Sequence, residues 1–475
     1  MSPPASAPGR PRLALAAGTV LGLVGVLLAR RTTHVGQLLR HGDEVLVLIG
    51  AWAVVGALAA ACLLRAPRRT ALGVVLVLGL VTRVVATSHI APLSDDLYRY
   101  AWDGRVQAAG IDPYRYPPDA LELLRLRDPG WLWPDLQQCQ HPLPTNPCPL
   151  LNRPAVHTIY PPGAELWFLG LHATGITRGE DLGLEGSGLG LDLAVLAALL
   201  ALLRRVGRDP LLVGVWALSP LPVLEAVSDA HIDSLAVLLT LGSVGLALSR
   251  SRSLPLSTAA VLAGAVLVKL YPLLLFPALV RSRRVAAGAL VIALVALAYL
   301  PHVVAVGTQV VGYLPGYLRE EHYATGTRYL LLDLVGLSGA AATVVVALVL
   351  GAVVATVLVR RPDPVDGALA LYAALLLLTT PVQPWYALGL GALGVLAGRP
   401  EWLAVGLAAY PPYLAAVLDR DVSVWGKVSY AVAAVVLGGV TLARARAPRR
   451  TPPPPVRTSP PARSPAPGPP VPSPP

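Results

Sequence analysis

Between residues 13 and 443 the chain is a succession of apolar segments, near 13–29, 45–64, 70–87, 189–203, 211–227, 232–249, 254–268, 270–280, 285–303, 338–359, 366–380, 385–398, 401–418 and 427–443. Most of them approach the ~20 residues that a helix needs to cross the hydrocarbon core of a bilayer. Few folds accept such a pattern. Lipid offers the backbone no hydrogen bonds, so a spanning segment satisfies its own as a helix. The expected fold is an all-α integral membrane bundle of about fourteen segments, several short or broken by proline where neighbours satisfy the freed backbone. A composition that is 55% hydrophobic and 14% charged, with a mean hydropathy of +0.61, excludes an ordinary soluble globule.

The net charge of +11 would suit nucleic acid if it formed one patch. Instead the arginines stand in short clusters between apolar runs, the pattern of cytoplasmic loops, and no nucleic-acid partner is expected. With the parity of these segments Arg65/Arg68/Arg69, Arg204/Arg205, Arg250/Arg252, Arg281/Arg283/Arg284, Arg360/Arg361 and Arg444–Arg450 all face the cytoplasm, while Arg30, Arg31 and Arg40 go against the rule. The resulting division is a cytoplasmic N-terminus (1–12), a polytopic membrane domain (13–446) with an extracytoplasmic loop at 88–188, and a Pro-rich, disordered cytoplasmic tail (447–475). Within the loop, Tyr160–Leu171 is apolar but short and is expected to lie along the membrane surface. Of three cysteines, Cys62 falls in a span, and Cys139 and Cys148 share the loop and could pair in an oxidising compartment. Neither a phosphate-binding loop nor a dinucleotide fingerprint occurs.

Five polar constellations interrupt the apolar background. After the third segment comes SDDLYRYAWDGRVQAAGIDPYRY, residues 94–116, where Asp95, Arg99 and Asp103 recur at helical spacing beside Trp102 and would line one face. The bland alternative is a solvated helix. Ser228–Ser234 carries Asp229, His231 and Asp233 between two apolar segments, where ionisable groups are costly unless paired or facing a cavity. Lys269, one of two lysines, sits in an apolar run where an uncompensated lysine costs ~2.5–3.5 kcal/mol, so an anionic partner or a snorkelling path is expected. After 303 come Tyr313, Tyr317, Arg319, Glu320, Glu321, His322, Tyr323 and Arg328, and then the proline-broken Thr379–Tyr386, with Gln383, Trp385 and Tyr386 at an interface.

Together SDDLYRYAWDGRVQAAGIDPYRY, TIYPPGAELWF, SDAHIDS, VKLYPLLLFP and PVQPWY resemble the GT-C superfamily of polyprenyl-phosphate-sugar-dependent glycosyltransferases. Among these the chain is most similar to the glycosyltransferase family 87 and actinobacterial alpha-mannosyltransferases. Leu151-Asn152-Arg153-Pro154 departs from the Asn-His-Pro run of those relatives. The resemblance implies a GT-C type multi-span bundle and inverting transfer of a sugar, commonly mannose. The donor would be a polyprenyl-phosphate sugar, the acceptor a glycolipid or cell-envelope glycan, and the active site would face outside the cytoplasm. The catalytic base falls on Asp95 or Asp96; the alternative role for Asp96 is to help hold the acceptor, or a divalent ion where a member uses one, and no cofactor follows from the residues themselves. Lys269, Arg319 and Arg328 are expected at phosphate, and Trp102, Tyr114 and Tyr160 at sugar. Further substrate contacts are expected from Arg99, Asp103, Arg105, His231, Asp233, Tyr271, His322, Gln383 and Trp385. A transporter or flippase of a lipid-linked saccharide, using the broken segments near 268–272 and 380–385 as a midplane site, and a non-catalytic envelope scaffold are the rival readings.

Overall fold

A computed structural model describes residues 10–35, 38–87, 92–134, 149–177, 181–249, 254–323 and 325–446. The first residues of the expected N-terminus, Arg250 and Arg252, the Cys139–Cys148 pairing and the 447–475 tail lie outside the described residues. What is described is all-helical, with no strand among those residues. Helix falls on every apolar segment expected from the sequence, but among the described residues seven helices are long and apolar enough to cross a membrane: Arg10–Thr33, Leu38–Leu63, Arg68–Ala86, Asp181–Arg205, Arg284–Glu320, Gly339–Arg360 and Val422–Arg446. Pro210–Ala217 and Pro220–Ser228 form one more path, bent by 62°. The shorter apolar helices Asp233–Ala247, Leu254–Val268, Pro364–Leu378 and Pro384–Leu396 complete the bundle. The chain is thus a helical membrane protein by length and composition of its helices.

We label the first six elements α1 (Arg10–Thr33), α2 (Leu38–Leu63), α3 (Arg68–Ala86), α4 (Asp96–Ala108), α5 (Pro162–Ala173) and α6 (Asp181–Arg205). Helix α6 starts inside the stretch expected as loop, so the polar insertion ends sooner than the hydropathy indicates. The reason is that Asp181 has partners: it accepts from Tyr98 Oη (3.1 Å) and Trp131 Nε1 (2.9 Å). Deeper in the bundle the wholly buried Arg83 of α3 pairs with Asp192 of α6. Trp216 Nε1 donates to the same aspartate (3.0 Å). Arg83 also donates to the carbonyls of Gly79 (3.0 Å) and Ala217 (2.8 Å). A charge inside an apolar bundle persists only with such partners.

The bundle has two unlike ends. At one, Arg68 pairs with Asp209 (3.1 Å), Arg281 donates to the Arg361 carbonyl (2.8 Å) and Arg444 pairs with Glu401 (2.6 Å). At the other, the described residues between α3 and α6 fold into a cap with its own core, including Tyr100, Trp102, Trp133, Tyr160 and Phe168. Tyr100 stacks on Phe168 at 4.5 Å and Trp102 meets Trp133 edge-on at 5.4 Å, both favourable ring geometries. The Pro162 start of α5 suits the first helical turn, where a missing N–H leaves nothing unpaired. A Cβ on Gly104 would lie 2.3 Å from the Phe168 carbonyl oxygen, so the glycine is what lets α4 and α5 approach.

Candidate active site

Between the cap and the end of the bundle opens a cavity of about 950 Å³. It draws its walls from the α3–α4 link, the chain before α5, the end of the Leu254–Val268 helix, and the segments around Tyr317 and Trp385. These sequence-distant stretches meet there, and with them Asp95, Asp96, Arg99, Tyr160, Lys269, Gln383 and Trp385 of the expected set.

The two acids are held differently. Asp96, in the first turn of α4, accepts from Asn152 Nδ2 at Oδ1 (2.6 Å) and from Tyr160 Oη at Oδ2 (3.2 Å). Its position there also complements the helix dipole. Asp95 precedes the helix with its side chain exposed to the cavity. Even so, the surrounding protein strips water from it and Asp96 adds a like charge, and together they push its carboxyl up to about 6. A carboxyl raised that far lies nearer the neutral operating range in which proton transfer is most effective.

Lys269 supplies a cation from the opposite wall. Its Nζ lies 3.1 Å from the fully buried Asp233, and 5.1 and 5.6 Å from the ring centres of Tyr160 and Tyr386. The expected anionic partner of Lys269 is therefore Asp233, which also accepts from Tyr271 Oη (3.1 Å). Asp233 and Tyr271 act on the cavity through the lysine. Arg153 adds a second cation, paired with Glu320, which accepts from Tyr313 Oη as well. Tyr317, Tyr386 and Tyr413 extend an aromatic and hydroxyl-bearing lining.

Several expected contacts fall elsewhere. Trp102 is 1% exposed and belongs to the cap core, so its ring is packing and not a sugar platform. Asp103 takes Arg99 Nε on both oxygens at 2.9 Å, so the expected charged face is largely satisfied within α4. Burial still raises the Asp103 carboxyl against the pull of Arg99. Arg105 pairs with Asp128 (2.8 Å), and buried Tyr114 donates to the Tyr160 carbonyl (2.7 Å). Arg319 and His322 are exposed and do not line the cavity. Arg328 is buried with its guanidinium engaged by Glu321 and by the carbonyls of Thr379 and Pro381. It fastens the proline-broken turn and leaves little for a phosphate. His231 is wholly buried, stacked on Trp385 at 4.1 Å, with Nδ1 3.8 Å from Asp96 Oδ2.

Sequence reasoning missed Asn152, Arg153, Glu320 and Tyr413 as cavity residues. Asn152 was visible only as a departure from a family run, and its partner Asp96 stands 56 positions away. Among the described residues, one group of three or more metal-type donors converges, Glu225, Asp229 and His231, and neither Asp95 nor Asp96 is part of it. The cavity thus combines a carboxylate fixed by neutral donors, a second carboxylate of raised basicity, the cations of Lys269, Arg153 and Arg99, and an aromatic lining. These are the parts needed to deprotonate a hydroxyl and to meet a phosphate. Comparison with known protein families, with curated proteins and with solved structures finds no match to this chain.

Proposed function

We propose that this protein is a membrane glycosyltransferase of the GT-C type, using a polyprenyl-phosphate sugar, most simply mannose, and a glycolipid or cell-envelope glycan acceptor on the extracytoplasmic side. The observation that carries the reading is the convergence of Asp95, Asp96, Lys269 and Arg153 on one cavity with tyrosines and Trp385 around them. The orientation rests on the arginine-rich end of the bundle lying opposite that cavity, since loops rich in arginine stay cytoplasmic.

In this account the acceptor hydroxyl attacks the anomeric carbon of the donor. The bond from that carbon to the phosphate oxygen breaks, the electron pair leaves with the lipid phosphate, and the sugar is inverted in one displacement. Asp96, oriented by Asn152 and Tyr160, takes the hydroxyl proton. Lys269 and Arg153 offset the charge that grows on the phosphate. Asp95 accepts a hydrogen bond from the acceptor. Purified protein in nanodiscs, given labelled polyprenyl-phosphate mannose and an envelope glycolipid fraction, should form a glycosidic product that Asp96→Asn nearly abolishes. Equal product from wild type, Asp95→Asn and Asp96→Asn would refute the assignment, and movement of lipid-linked sugar across vesicles without a new glycosidic bond would replace it with a flippase.

A further inference from the structure

We infer that Glu225, Asp229 and His231 form a divalent-cation site beneath the cavity floor, with His231 linking the bound ion to Asp96. The donors are brought together by an unusual stretch of backbone. Pro220 and Pro222 lead into a π-helical turn, Val223–Ser228, and Ala230 then reverses the chain at φ +49°. Single π turns of this kind recur at functional sites because the extra residue re-aims the side chains around it. Here the wider turn and the reversal fold His231 back over Glu225 and Asp229, so that one ligand atom from each lies within 4.8 Å of the others. His231 Nε2 and Glu225 Oε2 are 3.4 Å apart. Ligands at ~2.0–2.2 Å from a tetrahedral ion stand roughly 3.4 Å from one another, so small side-chain rotations close the remainder.

Burial also favours a cation here. Glu225, Asp229 and His231 are 1%, 0% and 0% exposed, and two carboxylates at such depth require pairing or a metal. The nearby lysine, Lys269, is engaged by Asp233. His231 Nε2 points at Glu225 yet makes no hydrogen bond among the described residues. The outer contacts are those of a ligand set held in place: Tyr410 Oη donates to Glu225 Oε1 (2.6 Å) and Leu93 N donates to Asp229 Oδ1 (2.9 Å). One imidazole with two carboxylates suits Zn²⁺ or Mn²⁺ better than Ca²⁺ or Mg²⁺, which take oxygen donors.

An ion on Nε2 fixes the ring proton on Nδ1, which faces Tyr100 Oη at 3.5 Å and Asp96 Oδ2 at 3.8 Å, while Trp385 stacked on the ring limits its rotation. Metal-bound histidines commonly direct their second nitrogen to a carboxylate, and Asp96 is the carboxylate nearest this one. His231 is then a positioning residue for Asp96, a consequence that rests on the transferase reading; the metal site itself stands on its donors.

The test uses full-length protein in nanodiscs from cells grown with Zn²⁺ or Mn²⁺, and reads metal per chain by mass spectrometry. About one equivalent is expected in wild type and in Asp95→Asn, with at least a tenfold loss in Asp229→Asn and Glu225→Gln. Prolonged dialysis of the wild type against chelator should lower its Tm, and Zn²⁺ or Mn²⁺ should restore it, which decides the matter even if the variants fail to fold. Wild type without metal and without a Tm response overturns the proposal, as does equal metal content in wild type and Asp229→Asn. Since the readouts are metal content and Tm, they stand even if no sugar is transferred.

Discussion

At the scale of single residues the acidic pair divides the work. Asp96 is held by Asn152 and Tyr160 at 2.6 and 3.2 Å, so replacing its charge while keeping its shape should lower turnover by about 10²–10⁴-fold, the range for a general base. Asp96→Asn assayed at saturating donor measures it. Asp95 has its carboxyl raised to about 6 by lost hydration and by Asp96. As the pH falls through that value it gains a proton and loses its hold on the acceptor, so kcat/KM for acceptor should decline below about pH 6, and Asp95→Asn should lack that inflection. The stability effect has the opposite sign. A raised carboxyl pKa means the folded state favours the protonated form, so its stabilising contribution is present at low pH and lost as the pH rises through about 6. Asp95→Asn should therefore raise Tm at pH 8 and change it little at pH 4, as thermal unfolding across that range would report. Both acids stood out in the sequence as charge in an apolar chain. What distinguishes them is contact with Asn152 and Tyr160, which local spacing does not encode.

At the scale of elements, hydropathy identified where helices form but not how far each one runs. Thirteen to twenty apolar residues look alike whether they cross a membrane or pack as half-helices, and only the fold shows prolines and buried polar partners breaking them. The aromatic loop was equally ambiguous, since a tryptophan that must be buried is satisfied by core or ligand alike. Trp102 and Trp133 took the core. Two variants probe the joints. Removing one partner of the buried Arg83–Asp192 pair, as in Arg83→Leu, should cost about 3–5 kcal/mol by leaving a charge uncompensated, whereas Arg83→Leu with Asp192→Leu should cost far less. Denaturation of the single and double variants in matched detergent checks this. Gly104→Ala pushes a methyl against the Phe168 carbonyl and should cost about 1–3 kcal/mol through forced separation of α4 and α5, read by the same unfolding.

At the scale of the whole molecule, the all-helical bundle of membrane-spanning length is the feature most legible in the sequence, because apolar segments of that length need no tertiary detail to be recognised; which end faces the cytoplasm is an expectation from arginine placement. Cysteines introduced at Glu320 and at Arg361 into a background lacking the native ones should be labelled by an impermeant reagent from outside and from the cytoplasm respectively; reversed labelling would invert the topology. The site's membership was less legible, since its walls come from residues as far apart as Leu93 and Tyr413, joined by a hydrogen bond of 2.6 Å. The most direct test of the central claim is cryo-electron microscopy of the protein in nanodiscs with polyprenyl phosphate. The account requires density for the phosphate against Lys269 and Arg153, with the acid pair facing it across the cavity. A lipid phosphate bound only on the outer wall of the bundle, with the cavity unfilled, would contradict it.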